Sequence, residues 1–336
     1  MAPSLCTDDM TGTGKSGPAK FNSKQHLAYS PPSDILQMKD LGQSPTELSP
    51  VASTEPFPLL SHDAIIQHRH PGMAPRYASF IHEFWHSPEV LKIISDNAGV
   101  DLIPAMDYEI SHTNVQLGPG GLDAVRKTPL EPPAATEEAI SEFEKDKPQT
   151  RAVTDQTRPI IEWHRDSHPF VCVVMLSDAR HMIGGETELK KADGSTLKVK
   201  APQMGCAVIL QGRYITHTAA PAANMPERVT IVTSFRPRNP TLLDETTNSN
   251  VRNKSHLTEL YFQWTTYRLD VLAQRAQIAA KELREMYEKN VNASDPEGKK
   301  GLCRVETVNV KAVEAWVEVQ MMYMKETLHE MRPLGQ

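Results

Sequence analysis

Hydrophobic positions are sparse and aperiodic over residues 1–58, where SPPSD and GQSPTELSPVASTEPFP are rich in Pro, Ser and Thr. Such a segment buries too little apolar surface to repay its ordering entropy, so a flexible or loosely docked N-terminal arm is expected. The pattern turns helical from Arg76: Tyr77, Phe80, Ile81, Phe84 and Trp85 recur at helical spacing. Ser87-Pro88-Glu89 then reads as a new helix start, with a capping hydroxyl, proline at the first position and an acid in the first turn. Val90, Leu91, Ile93 and Ile94 follow, and Asn97-Ala98-Gly99 ends that helix.

Over residues 107–118 the period changes to two. Tyr108, Ile110, His112, Asn114 and Gln116 fall on one face of a strand, and that face either lines a polar cavity or meets water. Turns and prolines fill residues 118–158 around a short acidic helix near EEAISEFEK, the place for either a lid or a solvated excursion. Short strand-like runs fill residues 159–238: PIIEWHRD, FVCVVMLSD, GETELKK and STLKVK joined by an ADG hairpin signal, GCAVILQG and RVTIVTSFRP. They predict a β-sandwich or barrel.

From Ser255 the pattern is helical again. Leu257, Leu260, Tyr261, Trp264, Tyr267 and Val271 open a stripe that continues through Ile278, Leu283 and Met286. After NASDPEGKKG, a second helix carries Val310, Val313, Val317, Met321, Met324 and Leu328 on one face. These stripes could cover the sheet or join a second subunit in a homodimer.

The 336 residues suffice for one large domain or two small ones. A net charge of −6 gives no electrostatic case for nucleic acid or an anionic membrane. No apolar stretch is long enough for a membrane span, and the first residues lack a secretory signal's apolar core. Four scattered cysteines form no CxxC pair, which disfavours a thiolate zinc site and fits a reducing, cytoplasmic setting.

The chemistry concentrates in IEWHRDSHPF, residues 161–170. His164 and Asp166 are two apart on a strand and so face the same side. His217, after the GCAVILQG strand, can supply a third ligand. Two histidines and one carboxylate leave three coordination positions open, the arrangement non-haem Fe(II) oxygenases use for co-substrate and oxygen, although zinc can also use it. Arg228 and Thr230 share one face of RVTIVTSF, and a guanidinium with a hydroxyl is a receptor for a carboxylate. Metal triad and carboxylate anchor together suit a keto-diacid that chelates with one end and is clamped at the other.

His168, four residues from His164, has the spacing of a helical ligand pair, but Pro169 and the β-branched surroundings favour a strand and leave it aside. Glu162 is either a partner to the ligands or the strand's outer end, and Trp163 on the opposite side is expected in the core. His62, His68 and His70 read as a solvated cluster.

This ordered set (H-x-D, a distant His, then Arg with R-x-T) resembles the Fe(II)/2-oxoglutarate-dependent dioxygenases, and GGET at Gly184–Thr187 is similar to that family's GG turn. The chain's general look also resembles fungal members that tailor secondary metabolites. The resemblance covers about residues 108–238. It implies a double-stranded β-helix, or jelly roll, buttressed by helices: a helical lead-in over 59–106, a core over 107–240 and C-terminal helices over 255–330, in one oxygenase domain. It implies Fe(II) on His164, Asp166 and His217, the 2-oxoglutarate distal carboxylate on Arg228 and Thr230, and O2 as the oxidant. A small-molecule substrate would meet His112, Asn114 and Gln116. Asp166 stands where related halogenases carry a small residue, so halogenation is disfavoured. Two other readings use the same residues: a zinc or manganese hydrolase or isomerase, and a non-catalytic barrel.

Overall fold

The apolar runs after residue 160 do form strands, and segments without any clean alternation join them in the same sheets. The computed structural model describes residues 20–68, 78–118, 120–127, 136–138, 140–141, 161–200, 203–298, 303 and 305–332. His70, Arg76, Tyr77 and most of the acidic stretch near 137–145 therefore lie outside the described residues.

Early in the chain come β1 (Ile35–Gln37), β2 (Val51–Thr54), β3 (Phe57–Pro58), β4 (Leu102–Pro104) and β5 (His112–Leu117). The later strands are β6 (Ile161–His164), β7 (Phe170–Met175), β8 (Ile183–Gly184), β9 (Thr187–Lys190), β10 (Thr196–Val199), β11 (Cys206–Leu210), β12 (His217–Ala219), β13 (Ala222–Ala223) and β14 (Glu227–Pro237). The large sheet runs β1-β2-β11-β7-β14-β4, with β3 added on β11 and β5 on β14. The smaller sheet runs β10-β9-β12-β6, and β13 pairs with β8. Every strand pairing among the described residues is antiparallel.

Alternation along each strand sorts the core into two layers. Val171, Val208 and Leu210 of the large sheet meet Leu189 and Val199 of the small one in a cluster between the sheets. On the large sheet's other face, Cys172, Val174, Ile209, Ile231 and Phe235 pack under helices α3 (Ser79–His86) and α4 (Pro88–Ala98), which follow the short α1 (Ser23–His26) and α2 (His62–His68). Phe80, Ile81, Phe84 and Trp85 are the buried stripe of α3, as their spacing predicts. Ser87 caps α4 by accepting from Val90 N, Pro88 opens it, and Gly99 closes it in the left-handed region. The jelly-roll expectation holds as a mainly antiparallel two-sheet core with flanking helices.

Three expectations need correction. Residues 20–58 are no loose arm: they supply β1, β2 and β3, and all four residues of β2 are buried. The sheet thus reaches well outside 107–240. Its polar residues are tolerated because β11 satisfies them, Ser53 Oγ donating to Ile209 O at 3.1 Å and Thr54 Oγ1 accepting from Ile209 N at 3.0 Å. Second, the strand expected from Tyr108 begins only at His112. Asp107–Glu109 is a 3-10 turn, and Ser111 has φ of 57°, which breaks the alternation.

Third, only part of the C-terminal stripes reaches the core. A short helix α5 (Gly121–Lys127) follows β5, and the chain ends in α6 (Leu257–Ser294) and α7 (Val310–His329). Leu260, Trp264, Tyr267 and Val271 are buried, whereas Met286, Val310, Val313, Val317, Met321 and Leu328 are exposed. The helices meet through Arg268, 1% exposed, whose Nε donates to Thr327 Oγ1 at 2.9 Å and whose Nη2 donates to Tyr323 O at 3.1 Å. Arg268 also pairs with Asp244 at 3.4 Å and stacks over Tyr323. No helix among the described residues is long and apolar enough to cross a membrane.

Candidate metal centre

Antiparallel pairing of β6 and β12 sets His164 directly against His217. Facing residues of such a pair project to the same side. β12 also sets His217 against Leu189, a fully buried residue of the inter-sheet layer. Both imidazoles therefore point into the space between the sheets. Asp166 lies just beyond β6, and its backbone N–H donates to Gly212 O at 2.9 Å.

The three side chains converge. His164 Nε2 stands 3.3 Å from Asp166 Oδ1, and His217 Nε2 stands 3.6 Å from Asp166 Oδ2. All three ligand atoms lie within 4.8 Å of one another. Each ring is oriented by the backbone carbonyl two residues before it: His164 Nδ1 lies 2.7 Å from Glu162 O, and His217 Nδ1 lies 2.9 Å from Ile215 O. A carbonyl only accepts, so each Nδ1 carries the proton and each Nε2 turns a lone pair toward Asp166. Burial lowers His217, against the pull of Asp166, and so favours the neutral imidazole.

Asp166 Oδ2 is buried and has no hydrogen-bond partner. A carboxylate whose two oxygens each face an imidazole lone pair, one of them otherwise without a hydrogen bond, is costly unless a cation sits among them. The donor set thus fits a divalent transition metal with open positions. Room for Asp166 comes from Gly212. A Cβ there would stand 2.7 Å from Asp166 Cγ and nearer still to Oδ2.

Across the interior, the register of β14 with β5 sets Arg228 against Gln116, Thr230 against Asn114 and Val232 against His112. Val232 packs on the inter-sheet cluster, so this face looks toward the same space as the imidazoles. Arg228 is 5% exposed and Thr230 1%. Arg228 has no ion-pair partner among the described residues, and its Nε is buried without an acceptor. Burial pushes its pKa down to about 10, which leaves it charged near neutral pH. Gln116 Oε1 beside it is likewise buried and unpartnered. The two expected sets are therefore each assembled, on facing sheets. His112 is largely exposed and contacts Glu109 Oε1 at 3.3 Å.

His168 is not in the converging group. It is 1% exposed, with Nδ1 3.7 Å from Glu109 Oε2. Glu109 also accepts from Ser234 Oγ at 3.4 Å, which makes a buried polar cluster beside the centre. Glu162 contributes its backbone carbonyl, and its side chain is exposed. Trp163, expected in the core, is instead 42% exposed. Gly184 and Gly185 both occupy the left-handed region, as a GG turn requires.

The flank of Asp166 is held from the C-terminal region. Thr247 N donates to Ser167 O at 2.8 Å, and Asn250 N donates to Ser167 Oγ at 3.1 Å. This loop begins at Asp244, the partner of Arg268, so α6 and α7 anchor the segment that clamps the ligand loop. Gly212 and this clamp were not foreseen. A glycine directly after a strand that precedes a candidate ligand was the one available signal.

No family model and no curated protein matches the chain. Among solved structures it is similar to an oxidoreductase of the 2OG-Fe(II) oxygenase family from Burkholderia pseudomallei, at 13% identity and TM-score 0.31, over 48% of this chain and 58% of that one. A prolyl-4-hydroxylase from Pseudomonas putida aligns at 27% identity and TM-score 0.17 over 26% of this chain and 41% of that one. ThoJ, a non-heme monooxygenase solved with nickel, aligns at 11% identity and TM-score 0.34 over 66% and 77%. The chain spans less than two-thirds of the first two, and any functional reading rests on the residues of the site.

Proposed function

We propose that the chain is an Fe(II)- and 2-oxoglutarate-dependent oxygenase acting on a C–H bond of a small molecule. The observation that carries this reading is a buried guanidinium lacking any ion-pair partner among the described residues, on the sheet that faces a convergent His–Asp–His set. A metal hydrolase needs the second feature but not the first.

In this reading His164 and His217 hold Fe(II) through Nε2, and Asp166 holds it through its carboxylate. Iron, 2-oxoglutarate and O2 together supply an oxidant strong enough to take hydrogen from an unactivated carbon, with succinate and carbon dioxide as co-products. Arg228 receives the distal carboxylate of 2-oxoglutarate, and Thr230 donates its hydroxyl to it. Gln116 and Asn114 lie beside them on β5 and are placed to contact substrate or co-substrate. His112, at the open end of that strand, is proposed to meet the substrate. Leu189, Val199 and Val208 keep water out of the space between the sheets. Hydroxylation, desaturation and oxidative cyclisation all fit, in natural-product or amino-acid metabolism, and we place the enzyme in the cytoplasm.

Anaerobic protein with Fe(II) and 2-oxoglutarate should show a weak visible charge-transfer band. His164→Ala and Asp166→Ala should each abolish it. A full-strength band in both variants would overturn the assignment. Succinate release across a metabolite panel would then identify the substrate.

A further inference from the structure

We propose that His82, His86 and Asp107 form a second divalent-metal site, separate from the centre between the sheets, suited to zinc or a similar late first-row ion. His82 and His86 lie one turn apart on α3, the spacing at which a helix offers two imidazoles to one ion. Their rings stack with centroids 4.0 Å apart. Asp107, the first residue of the 3-10 turn, reaches across to them. Its Oδ1 stands 3.2 Å from His82 Nε2 and 3.8 Å from His86 Nε2. Two ligands about 2.0–2.1 Å from a tetrahedral zinc are separated by about 3.3 Å, so the donors already sit near that spacing.

A simple hydrogen bond explains the contact between His82 and Asp107. It does not explain His86. The Nδ1 of His86 lies 2.9 Å from the His82 carbonyl, which can only accept, so the proton of the neutral ring is there. Its Nε2 therefore turns a lone pair toward a carboxylate oxygen. Two acceptors face each other, an arrangement that a cation between them would relieve. The three side chains are 29–38% exposed, which leaves room for water at a fourth position.

Two imidazoles and one carboxylate bind Zn2+, Ni2+ or Cu2+ more tightly than Fe(II). Among the described residues, no buried cation comparable to Arg228 contacts this cluster, so it has no comparable anchor for a keto-diacid. Its effect would be mechanical: an ion there ties α3 to the turn that carries Glu109, the carboxylate contacted by His168, His112 and Ser234.

Equilibrium dialysis against Zn2+ with metal analysis tests this on the untagged full-length chain. With the first centre disabled by His164→Ala and His217→Ala, one equivalent of zinc should remain. Adding His82→Ala and His86→Ala should remove it. In the otherwise native chain the latter pair should lower the bound zinc by one equivalent, with an unchanged metal-free circular dichroism spectrum. Asp107→Asn should weaken binding at least tenfold, since a charged ligand is lost. The proposal is overturned if the disabled chain binds no zinc, or if its zinc survives His82→Ala with His86→Ala. None of these measurements uses iron or 2-oxoglutarate, so the outcome is independent of the oxygenase reading.

Discussion

Gly212→Ala adds one carbon where Asp166 already stands. The glycine is outside the left-handed region, so alanine fits the backbone and the perturbation is purely steric. The new Cβ would lie 2.7 Å from Asp166 Cγ and 3.0 Å from its Cβ. Carbon atoms settle at about 3.5–4.0 Å, so Cγ must retreat by about 0.8 Å or more, and the carboxylate oxygen further. Asp166 cannot simply recede, because its N–H is tied to Gly212 O at 2.9 Å. The side chain must instead swing away from His164 and His217. Disturbing the support of a ligand costs about 10–100-fold in metal affinity, and the strain should add about 1–3 kcal/mol of destabilisation. Anaerobic Fe(II) titration followed by the charge-transfer band measures the first, and thermal melting of metal-free protein measures the second. Iron affinity within twofold of wild type, at an unchanged melting temperature, would refute the placement of Asp166 against Gly212.

Three further outcomes follow from the same geometry. Arg228→Met should stabilise the protein without 2-oxoglutarate by about 1–4 kcal/mol, because an uncompensated buried charge is replaced by an apolar chain. The same change should raise the 2-oxoglutarate requirement by about 30-fold or more, as read from succinate release, in line with about 2–5 kcal/mol for a buried charge pair. Asp244→Asn should destabilise by about 3–5 kcal/mol near neutral pH by leaving Arg268 unpaired. Burial would raise the Asp244 carboxyl, but Arg268, Thr246 and Tyr267 hold it below the usual range. The difference from wild type should therefore persist above pH of about 3.9 and fade as pH falls through the lower folded value, in melts across pH. The exposed stripe of α7 leads us to expect a homodimer, with sedimentation mass twice the 37.4 kDa chain and a monomer after Val313→Glu with Val317→Glu.

The metal triad was legible because its chemistry is local. His164 and Asp166 share a side through the two-residue period, and His217 is a histidine beside a strand-like run. Arg228 was legible because it stands at the head of the apolar run VTIV, two residues from Thr230 on the same face. The early strands were not. β2 is only four residues long and buried throughout, so it offers no alternation, and its Ser and Thr look solvated until β11 is seen to bond them. Gly212, and the clamp on Ser167 from residues 247–250, depend on contacts that spacing does not encode. The stripe of α7 is legible as a stripe, but what covers it is not. A hydrophobic face predicts that something covers it, without saying whether the same chain does. His82 and His86 did carry a readable signal, two histidines four apart on a helix, hidden by the stronger apolar stripe around them.

The hydrogen bonds that aim the two ligand rings have a consequence for how freely the chain can drift. Each Nδ1 is held by the backbone carbonyl two residues earlier in the chain, at Glu162 within β6 and at Ile215 just before β12. Every amino acid brings that carbonyl, whatever its side chain. Ring orientation is therefore heritable without any particular neighbour, and positions 162 and 215 are free to be spent on the outer surface or the core. A three-residue stretch ending in histidine already contains the aiming device. Two such stretches paired side by side could be moved between antiparallel sheets as a portable unit, leaving the recipient to supply only the carboxylate and the space beside it.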